Sequence, residues 1–274
     1  TLSDWRRVMN QQMLRHFNLA AYPFTKEIAT EKLLTLPSTQ SSLAGLKLLL
    51  DTRGIGVLTG KSGTGKSCLI RLLLAELHTG LHKAIYLSHT SVGVQEFYSH
   101  IAAAIGLEST GRRATLYRAI HERVLSLHKQ SRIHTVLVLD EAHLLSNDVL
   151  KELRLLANYE IDSLNAMTIL MCGQETLLQK FGLSALEPLA NSVTVSVATD
   201  GLPKEETISY IENRITDCGG HSSMFTQSAL SLIHQASVGV LRSIGTIATA
   251  AMMKAYHGDS PTVEGKHVQT VLTR

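Results

Sequence analysis

Three short stretches carry residue types whose spacing suits work on a phosphate. Gly60-Lys61-Ser62-Gly63-Thr64-Gly65-Lys66-Ser67 fits G-x-x-x-x-G-K-[ST] at every fixed position. Glycines at such positions let backbone amides curl around phosphate oxygens, and a helix opening at the loop's end turns its positive pole toward them. Lys66 is then placed to reach the β- and γ-phosphates and Ser67 to hold Mg²⁺. Gly60, Lys61, Ser62, Gly63, Thr64, Gly65, Lys66, Ser67 and Cys68 together form the expected nucleotide contacts. Further on, Thr135-Val136-Leu137-Val138-Leu139 runs apolar into Asp140 and Glu141. Asp140 at a strand tip supports the metal, and Glu141 polarises an attacking water. Buried strands often end in solvated acids, so the pair gains its meaning from the loop upstream. Finally, Thr168-Ile169-Leu170-Met171-Cys172 leads to Gly173-Gln174, where a polar side chain at the end of a fourth strand sits beside a γ-phosphate and senses it. A plain strand-to-loop glutamine is the alternative there. The cofactors implied are ATP and Mg²⁺, and the reaction is hydrolysis of ATP to ADP and phosphate.

These residues need a scaffold, and the chain supplies the pattern of an α/β fold. Short apolar runs at Gly54–Thr59, Ala84–Ser88, Thr135–Leu139, Thr168–Cys172 and Val193–Val197 alternate with helical segments, as in a five-stranded parallel sheet with crossover helices. The runs are nearly all apolar, which predicts strands covered on both faces. Val94, Phe97, Ile101 and Ile105 share one helix face, and Leu116, Ile120, Val124 and Leu127 another. Near residue 200 the pattern changes. Pro203 starts a helix lined by Ile208, Ile211 and Ile215, Thr226 is placed to cap a later one, and Gly239 breaks the run. The expected organisation is an N-terminal segment over 1–50 with a turn at Tyr22–Phe24, a core over 51–199 and an all-helical domain over 200–274.

Composition closes off several classes. With 274 residues and 44% apolar content, a sizeable core is available, while 5% aromatics argue against a base-stacking platform. The net charge of +3 is compatible with a phosphate-backbone partner without requiring one. Cys68, Cys172 and Cys218 are odd in number and lack a C-x-x-C pair, so free, buried thiols in a bacterial cytoplasm are expected. Thirteen scattered histidines form no ligand set. No apolar run approaches the roughly 20 residues that span a bilayer. The chain begins at Thr1, so a preceding piece is expected. Asp140-Glu141-Ala142-His143 spells the box of one helicase class, but those helicases need two tandem cores and this chain has room for one.

Taken together, these stretches resemble the AAA+ ATPases grouped around the general-secretion ATPase ExeA (GspA) and the transposition regulators TniB, TnsC and MuB. His16-Phe17-Asn18-Leu19 and Tyr22-Pro23-Phe24 are similar to that group's N-terminal signature, and Leu153–Asn158 to the segment after its acid pair. Glu206-Thr207, Tyr210-Ile211 and Arg214 recur at its spacing in the first lid helix, and Gly239-Val240-Leu241-Arg242 resembles its second sensor. The resemblance implies a P-loop AAA+ core with a helical lid, and an Arg242 that approaches the γ-phosphate. One departure stands out: where the group carries an arginine finger, this chain reads Leu189-Ala190-Asn191-Ser192-Val193. Such fingers contribute roughly 10³–10⁵ in rate in related NTPases, so slow hydrolysis without a partner follows unless Arg154 or another basic residue substitutes.

The resemblance divides into two jobs. Secretion members continue past the lid into a membrane-spanning and wall-binding region. Stand-alone members assemble with ATP on double-stranded DNA, as a hexameric ring or helical filament, and recruit or activate a transposase, in some cases with a targeting protein. The length of the chain favours the second job, with no membrane partner and with hydrolysis driving disassembly. Thr90 and Ser91 after the second strand, with Arg112 and Arg113 before a helix, are then the expected contacts to DNA phosphates, binding without sequence preference. Two arginines on a solvated helix start are the ordinary alternative. A scaffold that binds ATP and hardly turns over is the third reading.

Overall fold

A computed structural model of the protein describes residues 11–88 and 91–273. It divides into a sheet unit, residues 39–62 and 66–199, and a helical unit, residues 11–38, 63–65 and 200–273.

The sheet unit is built on β1 (Ile55–Gly60), β2 (His82–Leu87), β3 (His134–Leu139), β4 (Met167–Gly173) and β5 (Val193–Thr199). All pair in parallel in the order β2-β3-β4-β1-β5. Alternating side chains sort onto two faces, as strand geometry requires. Val57, Leu137, Leu139, Ile169 and Met171 face α3 (Val94–Ala104), α4 (Arg113–Lys129) and α5 (Asn147–Leu156). Leu58, Val136, Val138, Leu170 and Cys172 face the leucines of α1 (Pro37–Thr52) and α2 (Lys66–Glu76). The sheet is therefore doubly wound, with a core on each side.

Complete cover, predicted for all five strands, holds only for the three central ones. Every residue of β1, β3 and β4 is buried. The edge strands differ: in β5 Thr194, Ser196 and Ala198 are exposed, while Val193, Val195 and Val197 turn inward. An edge strand with one wet face needs only an alternating pattern. The helix faces are as predicted, with Phe97, Ile101, Leu116, Ile120, Val124 and Leu127 all in the core. Two short helices follow β4, α6 (Thr176–Phe181) and α7 (Glu187–Ala190).

The helical unit contains α8 (Lys204–Asp217), α9 (Gln227–Ser237), α10 (Leu241–His257) and α11 (Gly265–Leu272). Its own core gathers Ile211, Ile215, Leu230, Ile233, Ile244, Ala248 and Val268, with Met13, Phe17 and Leu19 from the N-terminal segment. Pro203 caps α8, and the Thr226 hydroxyl accepts from the Ala229 amide to cap α9. Between α9 and α10 the chain turns through Val238 and Gly239, both at positive φ. A Cβ on Gly239 would lie 2.4 Å from the Leu202 amide nitrogen, so only glycine fits. No helix among the described residues is long and apolar enough to cross a membrane.

Candidate phosphate and metal site

The C-terminal ends of β1, β4 and β3 lie side by side, with Thr59 opposite Gly173 and Leu139 opposite Met171. In an open parallel sheet this edge is where ligands bind. The loop leaving β1 bends at Gly63 and Gly65, whose φ angles of 88° and 105° exclude most side chains. It then opens α2 at Lys66. The Lys66 ammonium is nearly buried and donates to the carbonyls of Gly60 and Lys61, each at 2.8 Å. A phosphate would compete for those same N–H groups. Ser67, in the first turn of α2, is exposed. Cys68 is half-buried, and burial raises its thiol pKa while Arg71 pulls it down.

Asp140 is 7% exposed, and both its oxygens accept hydrogen bonds. The Glu141 amide donates to Oδ1 at 2.9 Å and the Tyr86 hydroxyl to Oδ2 at 2.6 Å. The Cys172 thiol lies one strand over, close enough to feel the same carboxylate. Burial first, and then the Asp140 contact, push the Tyr86 phenol well above its ordinary pKa. Burial, followed by the Asp140 charge, does the same to Cys172, against an opposing pull from Lys66. Both groups are therefore held protonated, and the Tyr86 hydroxyl donates. Among the described residues no cationic side chain lies within 4 Å of Asp140. A buried carboxylate held only by neutral donors, with a serine hydroxyl opening the helix behind the loop, fits a hard divalent cation with oxygen ligands.

Glu141 is half-exposed and left-handed, with φ 52° and ψ 36°. Gln174 is half-buried directly after β4, and its backbone N–H donates to His143 Nδ1 at 3.4 Å. Within the helical unit, Arg242 is an exposed first-turn residue of α10 whose amide donates to the Gly63 carbonyl at 3.2 Å. The structure thus gathers Lys66, Asp140, Glu141 and Gln174 at one sheet edge.

The residues expected to touch DNA divide. Thr90 lies outside the described residues, and Ser91 and Arg112 are exposed. Arg113 instead forms an ion pair with Glu152, a buried acid that also accepts from the Tyr98 hydroxyl at 2.7 Å. Arg154 pairs with Asp162 at 3.1 Å, and Asn191 is exposed while the Ser192 hydroxyl donates to Pro188 O at 2.7 Å.

Sequence reasoning gave no role at this site to Tyr86, Cys172, His143 or Lys180. Only their strand or turn positions, known once the sheet is assembled, put them beside the acid pair. Several residues of the N-terminal and lid signatures prove to be braces inside the helical unit. Arg214 Nε donates to the Pro23 carbonyl at 2.9 Å, Glu206 accepts from the Ser38 amide at 3.1 Å, and Thr207 meets His234 Nδ1 at 3.0 Å.

The sheet order, the glycine loop and the acidic strand tip define a P-loop AAA+ fold. Residues 49–181 match the family model described as AAA domain. The chain is 29% identical over 253 residues to General secretion pathway protein A of Aeromonas hydrophila, covering 91% of this chain and 46% of that protein. It thus spans about half the length of this relative. Among solved structures, it resembles ORC1 of Aeropyrum pernix in complex with DNA, with a TM-score of 0.68, 18% identity, and coverage of 92% of this chain and 68% of that one. Cdc6p of Pyrobaculum aerophilum gives 0.66, 17%, 88% and 67%, and the Thermotoga maritima RuvB branch migration motor 0.57, 16%, 92% and 73%. At these identities the likeness is one of fold.

Proposed function

We propose that this chain is an Mg²⁺-dependent ATPase that acts as an assembly switch on double-stranded DNA. The observation that carries the ATPase part is the meeting of Lys66, Asp140 and Glu141 at one strand edge. Lys66 turns from the loop carbonyls to the outer phosphates, and the loop amides cradle the rest. Ser67 and Asp140 hold the metal. When bound, Mg²⁺ neutralises charge building on the phosphate oxygens. Glu141 takes the proton of the attacking water, and Gln174 and Arg242 register the γ-phosphate. The 51–199 core and the 200–274 lid act as the two domains of the switch.

In this reading copies of the chain assemble with ATP into a ring or filament on duplex DNA and present that surface to a transposase, with hydrolysis releasing it. Arg112 and Ser91 supply sequence-independent phosphate contacts. The resemblance to an ORC1 protein in complex with DNA supports a DNA partner. The absence of arginine from Leu189–Val193 supports slow turnover without a partner. A second reading, a secretion-type assembly ATPase, draws its support from the relative named General secretion pathway protein A.

Negative-stain electron microscopy with a linear duplex, comparing a non-hydrolysable ATP analogue with ADP, separates the two. Regular rings or filaments on DNA with the analogue alone are expected, and Glu141→Gln should keep them assembled in ATP. Bare DNA beside free protein in both nucleotides moves the weight to the secretion reading.

A further inference from the structure

Directly after Glu141 the chain makes one 3-10 turn, Ala142–Leu144, and His143 in that turn points back at the site. Its side chain is 11% exposed, and its Nδ1 lies 3.4 Å from Glu141 Oε2 and 3.4 Å from the Gln174 backbone nitrogen. Gly173 makes this approach possible. A Cβ there would stand 3.1 Å from His143 N and 3.2 Å from Nδ1, closer than side chains ordinarily pack. Lys180, on the helix that follows Gln174, clamps the same turn by donating to His143 O at 2.6 Å and to Leu145 O at 2.7 Å. The backbone of the turn is thereby fixed to the helix that follows β4, and the imidazole is left as the adjustable part.

One ring nitrogen faces an acceptor on one side and a donor on the other. It cannot serve both. With a lone pair there, Nδ1 accepts from Gln174 and turns the same lone pair toward the Glu141 carboxylate. With a proton there, it donates to Glu141 and leaves the Gln174 amide. Both separations lie at the long end of the hydrogen-bond range, so a shift of a few tenths of an ångström decides between them. Glu141 already sits in a left-handed conformation, which is strained for a non-glycine residue and is held by its surroundings.

We infer that His143 is a positioning residue that couples the end of β4 to Glu141. When a shift of the β4 end carries the Gln174 backbone N–H off Nδ1, that nitrogen takes a proton from solvent as Nε2 releases one, and the Nδ1–H holds the Glu141 carboxylate in line for water. With the Gln174 amide in place, Glu141 lacks that support. The inference rests on the ATPase reading, and the test keeps the two apart.

The test measures ATP turnover, KM and the affinity for a fluorescent ADP in the full chain and in H143A, H143N and G173A. Loss of a positioning contact should lower kcat of H143A about ten- to a hundredfold, with KM and ADP affinity within twofold of the parent. Asparagine places an amide near the position of Nδ1, so H143N should recover most of that loss. G173A, which crowds the ring without touching Glu141, should fall in the same direction as H143A. Unchanged kcat in H143A, a parallel fall of kcat and ADP affinity, or an asparagine no better than alanine overturns the coupling. A parent that binds nucleotide and never hydrolyses it, with DNA present, overturns the ATPase reading and the coupling with it.

Discussion

Asp140 and Glu152 are two carboxylates of the same sheet unit, each 7% exposed and each accepting a hydrogen bond from a tyrosine hydroxyl. They differ in one neighbour. Glu152 has the Arg113 guanidinium on its second oxygen. Asp140 has a backbone amide there, and among the described residues no cation within 4 Å. Burying a charge is costly unless it is paired. Glu152 is paired inside the chain and serves the fold. Asp140 has no ion-pair partner within 4 Å at the sheet edge where Lys66 and Glu141 also meet, which suits it to a bound cation. On the proposed reading, the same residue class in the same degree of burial does two jobs, and the counter-charge decides which.

Substitution should pull these roles apart. The largest effect belongs to Asp140→Asn, which keeps the shape and removes the charge. ATP turnover should fall at least about a hundredfold, while the melting temperature holds or rises because a buried charge has gone. A lower melting temperature with activity retained would reverse the assignment. Glu152→Gln should do the opposite, losing roughly 2 kcal/mol in urea unfolding, as expected for a charged hydrogen-bonded group, with kcat within twofold.

A third buried group handles its charge by shedding it. His134, at the start of β3, is 4% exposed, meets the Thr168 hydroxyl at 2.8 Å through Nε2, and has its pKa lowered to about 3. Burial is the main cause, with Arg53, His82 and His128 adding repulsion. The unfolded chain binds this proton near pH 6.5 and the folded chain does not, so its stability contribution is present above pH 6.5 and lost as pH falls toward 3. The loss should reach about 2 kcal/mol by pH 5. Urea unfolding at pH 7 and pH 5 reads it, and His134→Gln should flatten that part of the slope. An unchanged slope in the variant would place the acid sensitivity elsewhere.

The smallest contrast lies in the adjacent arginines. Arg113→Ala should cost about 1 kcal/mol of stability, since a half-exposed partner leaves Glu152 to Tyr98 alone. Arg112→Ala should leave stability within about 0.5 kcal/mol and lower the salt dependence of duplex binding by about one contact. Equal effects of the two on stability would remove the distinction between them.

What the sequence made legible follows the same division. The strand-loop-helix around Gly60–Ser67 and the run into Asp140 are backbone patterns, and each of the five strands lies within two residues of where the apolar runs put it. Local pattern fixes such elements because burial on both faces demands apolar residues throughout. The wet faces of β2 and β5 were not legible, since edge position depends on strand order. Nor was the split between Arg112 and Arg113. The partner of Arg113 lies 39 residues on in the chain, and only the packing of α4 against α5 brings it there. Tyr86 is illegible for the same reason, since it reaches Asp140 from a neighbouring strand; His143 is local, and only the fold of its turn shows that the ring points back at Glu141.

The central claim is that Asp140, unlike Glu152, holds its charge for a metal that accompanies a nucleotide. Its most direct test is to titrate Mg²⁺ into a fluorescent ATP analogue mixed with the parent chain, with Asp140→Asn and with Glu152→Gln. The account predicts Mg²⁺-dependent tightening in the parent and in Glu152→Gln, and none in Asp140→Asn. Tightening in Asp140→Asn equal to that of the parent would contradict it.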